Sequence, residues 1–154
     1  MRQEHRGGER AFVDYSGKRP CLVNRQTGEL KPVELLVMAW GASHRIYAEA
    51  QRSQKTPDWT MGHVRAWAHF GCAPHVVVPD CLKSGVTKAH RYDPDINRTY
   101  AECCAHYGVT VLPARSRSPR DKAKAESAVL VAQRWILACL RNRLIDAERN
   151  GQTR

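Results

Sequence analysis

No run of apolar residues in this chain approaches the ~20 needed to span a bilayer. The polar opening from Met1 to Arg10 also lacks the apolar core of a secretory signal. A membrane partner is therefore not expected, and a soluble, cytoplasmic protein is. Cys-x-x-Cys is missing too. The six cysteines (Cys21, Cys72, Cys81, Cys103, Cys104, Cys139) show no spacing of a structural zinc site. Several sit in apolar periodic segments, where a free thiol acts as a small hydrophobe. His69 and Cys72 could meet on one helix, and a histidine/cysteine metal protein stays open on that ground alone. There is no internal repeat, no low-complexity tract and no Ser, Tyr or Cys nucleophile motif.

Acid is scarce relative to base. Lys plus Arg number 25 against 15 Asp plus Glu, a formal net charge of +10 over 154 residues. That excess favours a polyanionic partner, with nucleic acid ahead of membrane. The length suits one domain with a real core.

The pattern along the chain alternates in kind. Arg10 to Tyr15 reads as a short strand ending on Asp14, Ser16-Gly17 as a turn, and Lys18 to Arg25 as a second strand. Gln26-Thr27-Gly28-Glu29 reads as a hairpin turn. Leu35 to Trp40 is an apolar run too short for most helices, hence a third strand, with Ile46 to Ala50 extending or following it. Thr56-Pro57-Asp58 predicts a helix with Thr56 as cap, Met61, Val64, Trp67 and Ala68 as its apolar face, and Gly71 as its end. Val76-Val77-Val78 suits a strand covered on both faces, and Asp80 follows it. Cys81 to Asp93 reads as a polar loop. Ile96, Tyr100, Cys103 or Cys104, and Tyr107 recur at helical spacing up to Gly108. Val109 to Pro113 predicts another strand.

The last helix has the strongest start signal, with Ser118 as cap, Pro119 in first position and Asp121 three residues after Ser118. Its apolar face is Val129, Ala132, Ile136 and Leu140. Trp59, Trp67 and Trp135 lie on periodic helical faces and are expected in the core rather than as base-stacking platforms. The resulting order, β-β-β-α-β-α-β-α, predicts an α/β protein with a five-stranded mixed sheet flanked by helices, a ribonuclease-H-like fold. Residues 1–9 form a polar lead, 10–148 the core and 149–154 a polar tail.

Three acids stand out in that frame. Asp14 and Asp80 close two strands, and Glu126 lies in the first turns of the last helix. Each has an ordinary role open to it: turn residues for the aspartates, an i,i+4 ion pair with Lys122 for Glu126. Functional groups of α/β sheets gather beyond the carboxyl ends of strands. Carboxylates brought together there repel unless a cation neutralises them, and hard oxygens suit Mg²⁺ or Mn²⁺. Two such ions can serve phosphoryl transfer. Lys83, Lys88, Arg115, Arg117, Arg120, Lys122 and Lys124 surround these acids in sequence and would hold phosphates.

Val13-Asp14-Tyr15-Ser16-Gly17, Val77-Val78-Pro79-Asp80-Cys81-Leu82-Lys83-Ser84-Gly85-Val86 and Pro119 to Glu126 resemble the motifs of IstA-type insertion-sequence transposases. The likeness runs from about Glu9 to about Arg143 and includes Pro57-Asp58-Trp59, His106-Tyr107-Gly108 and Leu112-Pro113-Ala114-Arg115. It implies a retroviral-integrase-like DDE core with Asp14, Asp80 and Glu126 as catalytic, metal-binding triad. It also implies DNA as partner (element ends and target), oligomeric action with an ATP-binding helper protein, and a place on the bacterial nucleoid. The family usually has Asn after the second acid, where this chain has Cys81. Family members also carry a helix-turn-helix region before the core and a further region after it, so a catalytic-core piece of a longer protein is expected. A ribonuclease-H-like nuclease and an inactive nucleic-acid-binding remnant are the competing readings.

Overall fold

The computed structural model describes residues 7–17, 19–24, 26–43, 45–79, 86–88, 95–112, 127, 130–131 and 134. Its centre is a five-stranded sheet built on β1 (Arg10–Tyr15). On one side β1 pairs antiparallel with β4 (Glu34–Trp40), and β4 pairs antiparallel with β5 (Ile46–Gln51). On the other side β1 runs parallel to β6 (Val76–Pro79), and β6 runs parallel to β9 (Thr110–Val111). The sheet is thus mixed, in the order β5-β4-β1-β6-β9. All seven residues of β4 are buried, which explains its unbroken apolar run.

The second expected strand is not a member of this sheet. Residues of the Lys18–Arg25 stretch supply β2 (Cys21–Val23), which forms a separate hairpin with β3 (Leu30–Pro32). The turn between them falls where Gly and Asn dictate: Asn24 Oδ1 accepts from the Gln26 amide at 2.9 Å, and Gly28 takes φ 71°. The third antiparallel strand of the sheet is instead β5, a full six-residue strand. The Cys81–Asp93 stretch is not all loop, since β7 (Val86–Lys88) pairs antiparallel with β8 (Asp95–Ile96).

Two helices cover one sheet face. α1 (Thr56–Phe70) starts one residue earlier than expected, with Lys55 at the N-cap and no side-chain cap bond. It ends at Gly71 in the left-handed conformation, φ 76°. Its buried stripe is Trp59, Thr60, Gly62, His63, Ala66 and Trp67, while Met61 is 48% exposed and Ala68 faces solvent. The inward face is thus rotated from the one apolar counting selects, because two of its key positions are Gly62 and His63. α2 (Arg98–His106) is capped by Asn97, whose Oδ1 accepts from the Thr99 and Tyr100 amides. Ile96 belongs to β8 rather than to α2.

The main core joins Ala11, Val13, Tyr15, Leu36, Met38 and Val77 of the sheet to Trp59, Ala66 and Trp67 of α1 and Tyr100 and Cys104 of α2. Trp59 and Trp67 are core residues, as expected. Phe12 and Val78 form a second cluster with Val76, and Leu35, Val37 and Ala39 a third with Ile46 and Ala48. Neither takes a residue from α1 or α2. Strand alternation places these residues, and Asp14, on the opposite sheet face. Trp135 and the apolar face of the last expected helix lie outside the described residues.

Candidate active site

Asp14 stands next to last on β1, half-buried, at the carboxyl end of the central strand. Its Oδ1 accepts a hydrogen bond from the Tyr15 amide at 2.8 Å, which restrains the carboxylate. Opposite it on β4 is Val37. On the other side the parallel register runs Arg10–Val76, Ala11–Val77, Phe12–Val78 and Val13–Pro79. The residue after Pro79 in sequence is Asp80. Asp80 and Glu126 lie outside the described residues, as do Lys83, Arg115, Arg117, Arg120, Lys122 and Lys124. Lys88 is the last residue of β7.

Tyr15 anchors the end of β1 from the other face. Its ring packs on Trp59, with centroids 5.6 Å apart. Its hydroxyl donates to Gln51 Oε1 at 2.5 Å. Gln51 in turn donates to Glu49 Oε1 at 2.7 Å and to the Asp58 carbonyl at 2.9 Å. Arg65 closes the network with a two-pronged bond to Glu49, Nε to Oε2 at 2.7 Å and Nη2 to Oε1 at 2.5 Å. Burial pushes the Tyr15 hydroxyl well above its ordinary pKa, and the nearby carboxylates of Asp58, Glu34 and Glu49 add to that. Burial also pushes the Glu49 carboxyl up, but hydrogen bonds from Arg65, Tyr47 and Gln51 outweigh it and hold the group below its usual range. Tyr15 and Glu49 thus stay in their bonded forms at neutral pH. Nothing local in the sequence marks Gln51 or Glu49, because Tyr15 and Arg65, which tie the pair to β1 and α1, are far along the chain.

Behind the strand end, His63 joins the two helices. Its Nδ1 lies 2.8 Å from the Trp59 carbonyl and its Nε2 3.0 Å from the Tyr100 hydroxyl. A carbonyl only accepts, so Nδ1 carries the proton and Nε2 accepts from Tyr100. Full burial pushes the imidazole down to about 4, so it is neutral at pH 7.

Among the described residues no three His, Cys, Asp or Glu side chains are gathered as a metal cluster. The His69 ring packs on Tyr47 and Phe70, and Cys72 is an exposed free thiol. Cys21, Cys103 and Cys104 are also free. No described helix is long and apolar enough to cross a membrane.

No family model matches the chain. Over 143 residues, 93% of its length, it is 44% identical to a Sinorhizobium fredii protein named as transposase y4uI. Over 137 residues it is 42% identical to a Pseudomonas fluorescens protein named as transposase for insertion sequence IS1162. The chain is related to insertion-sequence transposases. It spans 28% and 25% of those two transposases.

Among solved structures, the magnesium-bound HTLV-2 integrase catalytic core domain superposes with TM-score 0.64, over 92% of this chain and 77% of that one, at 9% identity. The catalytic core domain of BIV integrase gives TM-score 0.58 over 88% and 72%, at 12% identity. Likeness at such identities is one of fold. The transposase-related chain has the architecture of a retroviral integrase core, a ribonuclease-H-like sheet.

Proposed function

We propose that this chain is the DDE catalytic core of an IstA-type insertion-sequence transposase, acting on DNA ends by cleavage and strand transfer. The observation that carries the reading is the parallel β1–β6 pair, in which Val13 faces Pro79 and each is followed in sequence by an aspartate. Asp14, Asp80 and Glu126 are the catalytic carboxylates in this reading. Glu126 would come from the last helix, whose apolar stripe of Val129, Ala132, Ile136 and Leu140 would pack on the sheet face that α1 and α2 leave to other partners.

The donor set fits Mg²⁺ or Mn²⁺. Carboxylate oxygens are the ligands such ions take, and Asp14 offers one at a strand end made rigid by the sheet and by the Tyr15 amide. Asp14, Asp80 and Glu126 would hold the ions, two in number. When bound, they supply charge neutralisation and a more acidic attacking water or hydroxyl. The chain's own contribution is positional. β1 and β6, paired in parallel up to Val13 and Pro79, would bring the two aspartates side by side, and the network from Tyr15 to Arg65 holds the end of β1.

Lys83, Lys88, Arg115, Arg117, Arg120, Lys122 and Lys124 would contact phosphates, which orients DNA without reading its sequence. The complete protein, in this reading, works as an oligomer with an ATP-binding helper protein on the bacterial nucleoid. The test is joining of pre-cut element-end duplexes to a target plasmid in Mg²⁺ or Mn²⁺. Joined products from the wild type, absent with Asp14→Asn, are expected. Cutting without joining would point to a nuclease, and DNA binding with neither activity to an inactive remnant.

A further inference from the structure

The charges at the carboxyl end of β1 are sorted by depth. β5 runs parallel to β1 through their shared neighbour β4, so Gln51 ends β5 at the end where Asp14 sits. The turn from β5 to α1 therefore brings Arg52 and Lys55 to that end. α2 starts there too, since the Asn97 side chain reaches the Thr56 hydroxyl at 3.5 Å.

Three described acids of this region, Glu34, Glu49 and Asp58, are turned inward. The Glu34 side chain is only 8% exposed, held by Arg19 at 2.6 Å and Gln54 at 2.8 Å. Glu49 is 13% exposed under Arg65, and Asp58 accepts from Ser53 at 2.5 Å. The cations face out. Arg52 and Lys55 are exposed and have no ion pair among the described residues. Among the described residues Arg98 pairs with Glu102 alone, at 2.8 Å, and both are largely in solvent, where such a pair contributes little. The amino ends of α1 and α2 add partial positive charge beside these residues.

We infer that Arg52, Lys55 and Arg98 form a track for the sugar-phosphate backbone of DNA, leading past the Asp14 end of the sheet. The inference rests on the transposase reading and adds contacts to those proposed for the basic stretch at residues 115–124. A backbone track suits these residues because exposed cations, whether unpaired among the described residues like Arg52 and Lys55 or held only in a solvent-facing pair like Arg98, exchange counterions for phosphates and carry no base-reading geometry.

The test uses the full chain, a duplex of arbitrary sequence and binding measured from low to moderate salt. For Arg52→Gln/Lys55→Gln/Arg98→Gln, the plot of log affinity against log salt should flatten by about two to three, near 0.9 for each lost phosphate contact. Arg45→Gln, at the start of β5 and so at the far end of the sheet, should leave the slope unchanged. Equal slopes for the triple variant and wild type overturn the track and leave the transposase reading standing. The same holds if Arg45→Gln flattens the slope as much per charge as the triple variant does. A wild type that does not bind DNA overturns both.

Discussion

Val13 and Pro79 are register partners in the parallel β1–β6 pair, and the next residue on either chain segment is an aspartate. In the proposed site the two carboxylates would lie at neighbouring strand ends and repel each other without a cation. Asp14→Asn and Asp80→Asn should each lower strand transfer by about two orders of magnitude or more, the scale on which loss of one preorganised electrostatic contact is felt. Thermal stability should hold or rise, because removing one charge relieves repulsion. A fall in activity that tracks a fall in melting temperature would instead mark these residues as structural.

The strands that build this arrangement were legible because burial on both faces leaves an unbroken apolar signature: Leu35 to Trp40 and Val76 to Val78 read correctly. β5 was harder, since Ala48, Glu49 and Ala50 give an edge strand little apolar contrast. The Cys21–Val23 strand was legible as a strand but not as a hairpin apart from the main sheet, because nothing local encodes which edge a strand joins. The face of α1 misled for another reason. Gly62 and His63 do not count as apolar, yet the first permits close approach to the sheet and the second buries a neutral, fully bonded ring. The strand-end place of Asp14 was legible, whereas Gln51 and Glu49 reach Tyr15 and Arg65 only in the folded chain.

The His63 ring is a pH-dependent element of stability. The unfolded chain takes up this proton near 6.5, and the folded chain only near 4. Between those values the unfolded state binds more protons, so stability is complete above about 6.5 and falls as pH drops through the window. The full loss is about 3 kcal/mol. Glu49, held below its usual range, acts in the same direction at still lower pH. Urea unfolding at pH 7.5 and 5.0 should show the decline, and His63→Phe should remove most of it between those two values. An unchanged slope in His63→Phe would show that another group titrates. Tyr100→Phe, which leaves the buried His63 Nε2 without its donor, should cost about 1–3 kcal/mol at neutral pH.

Gly62 is where α1 comes closest to the sheet. A β-carbon there would run into the side-chain ends of Leu36 and Gln51, both buried. Overpacking of this kind costs about 1–3 kcal/mol, against about 1 kcal/mol gained from alanine's better helix propensity. Gly62→Ala should therefore lower stability by up to about 2 kcal/mol. For a chain of this length the upper value is a fall of several degrees in melting temperature. A more stable variant would mean that Gln51 can swing aside without losing its bonds to Tyr15 and Glu49. In that case strand transfer should also be unharmed.

Metal binding gives a test that does not depend on catalysis. A ligand that binds only the folded state stabilises it by RT ln(1 + [L]/Kd), about 1.4 kcal/mol at tenfold excess over Kd. Mn²⁺ should thus raise the melting temperature of the wild type by several degrees, and chelation should reverse the rise. Asp14→Asn, Asp80→Asn and Glu126→Gln should each blunt it, because each removes a charged oxygen donor. Glu126 is the informative member of the three. As a surface partner of Lys122 it would add only about 0.2–0.5 kcal/mol to the helix and nothing to the Mn²⁺ response. A Glu126→Gln protein that still gains the full Mn²⁺ shift, while the two aspartate variants do not, would return Glu126 to that surface role and leave a site of two carboxylates.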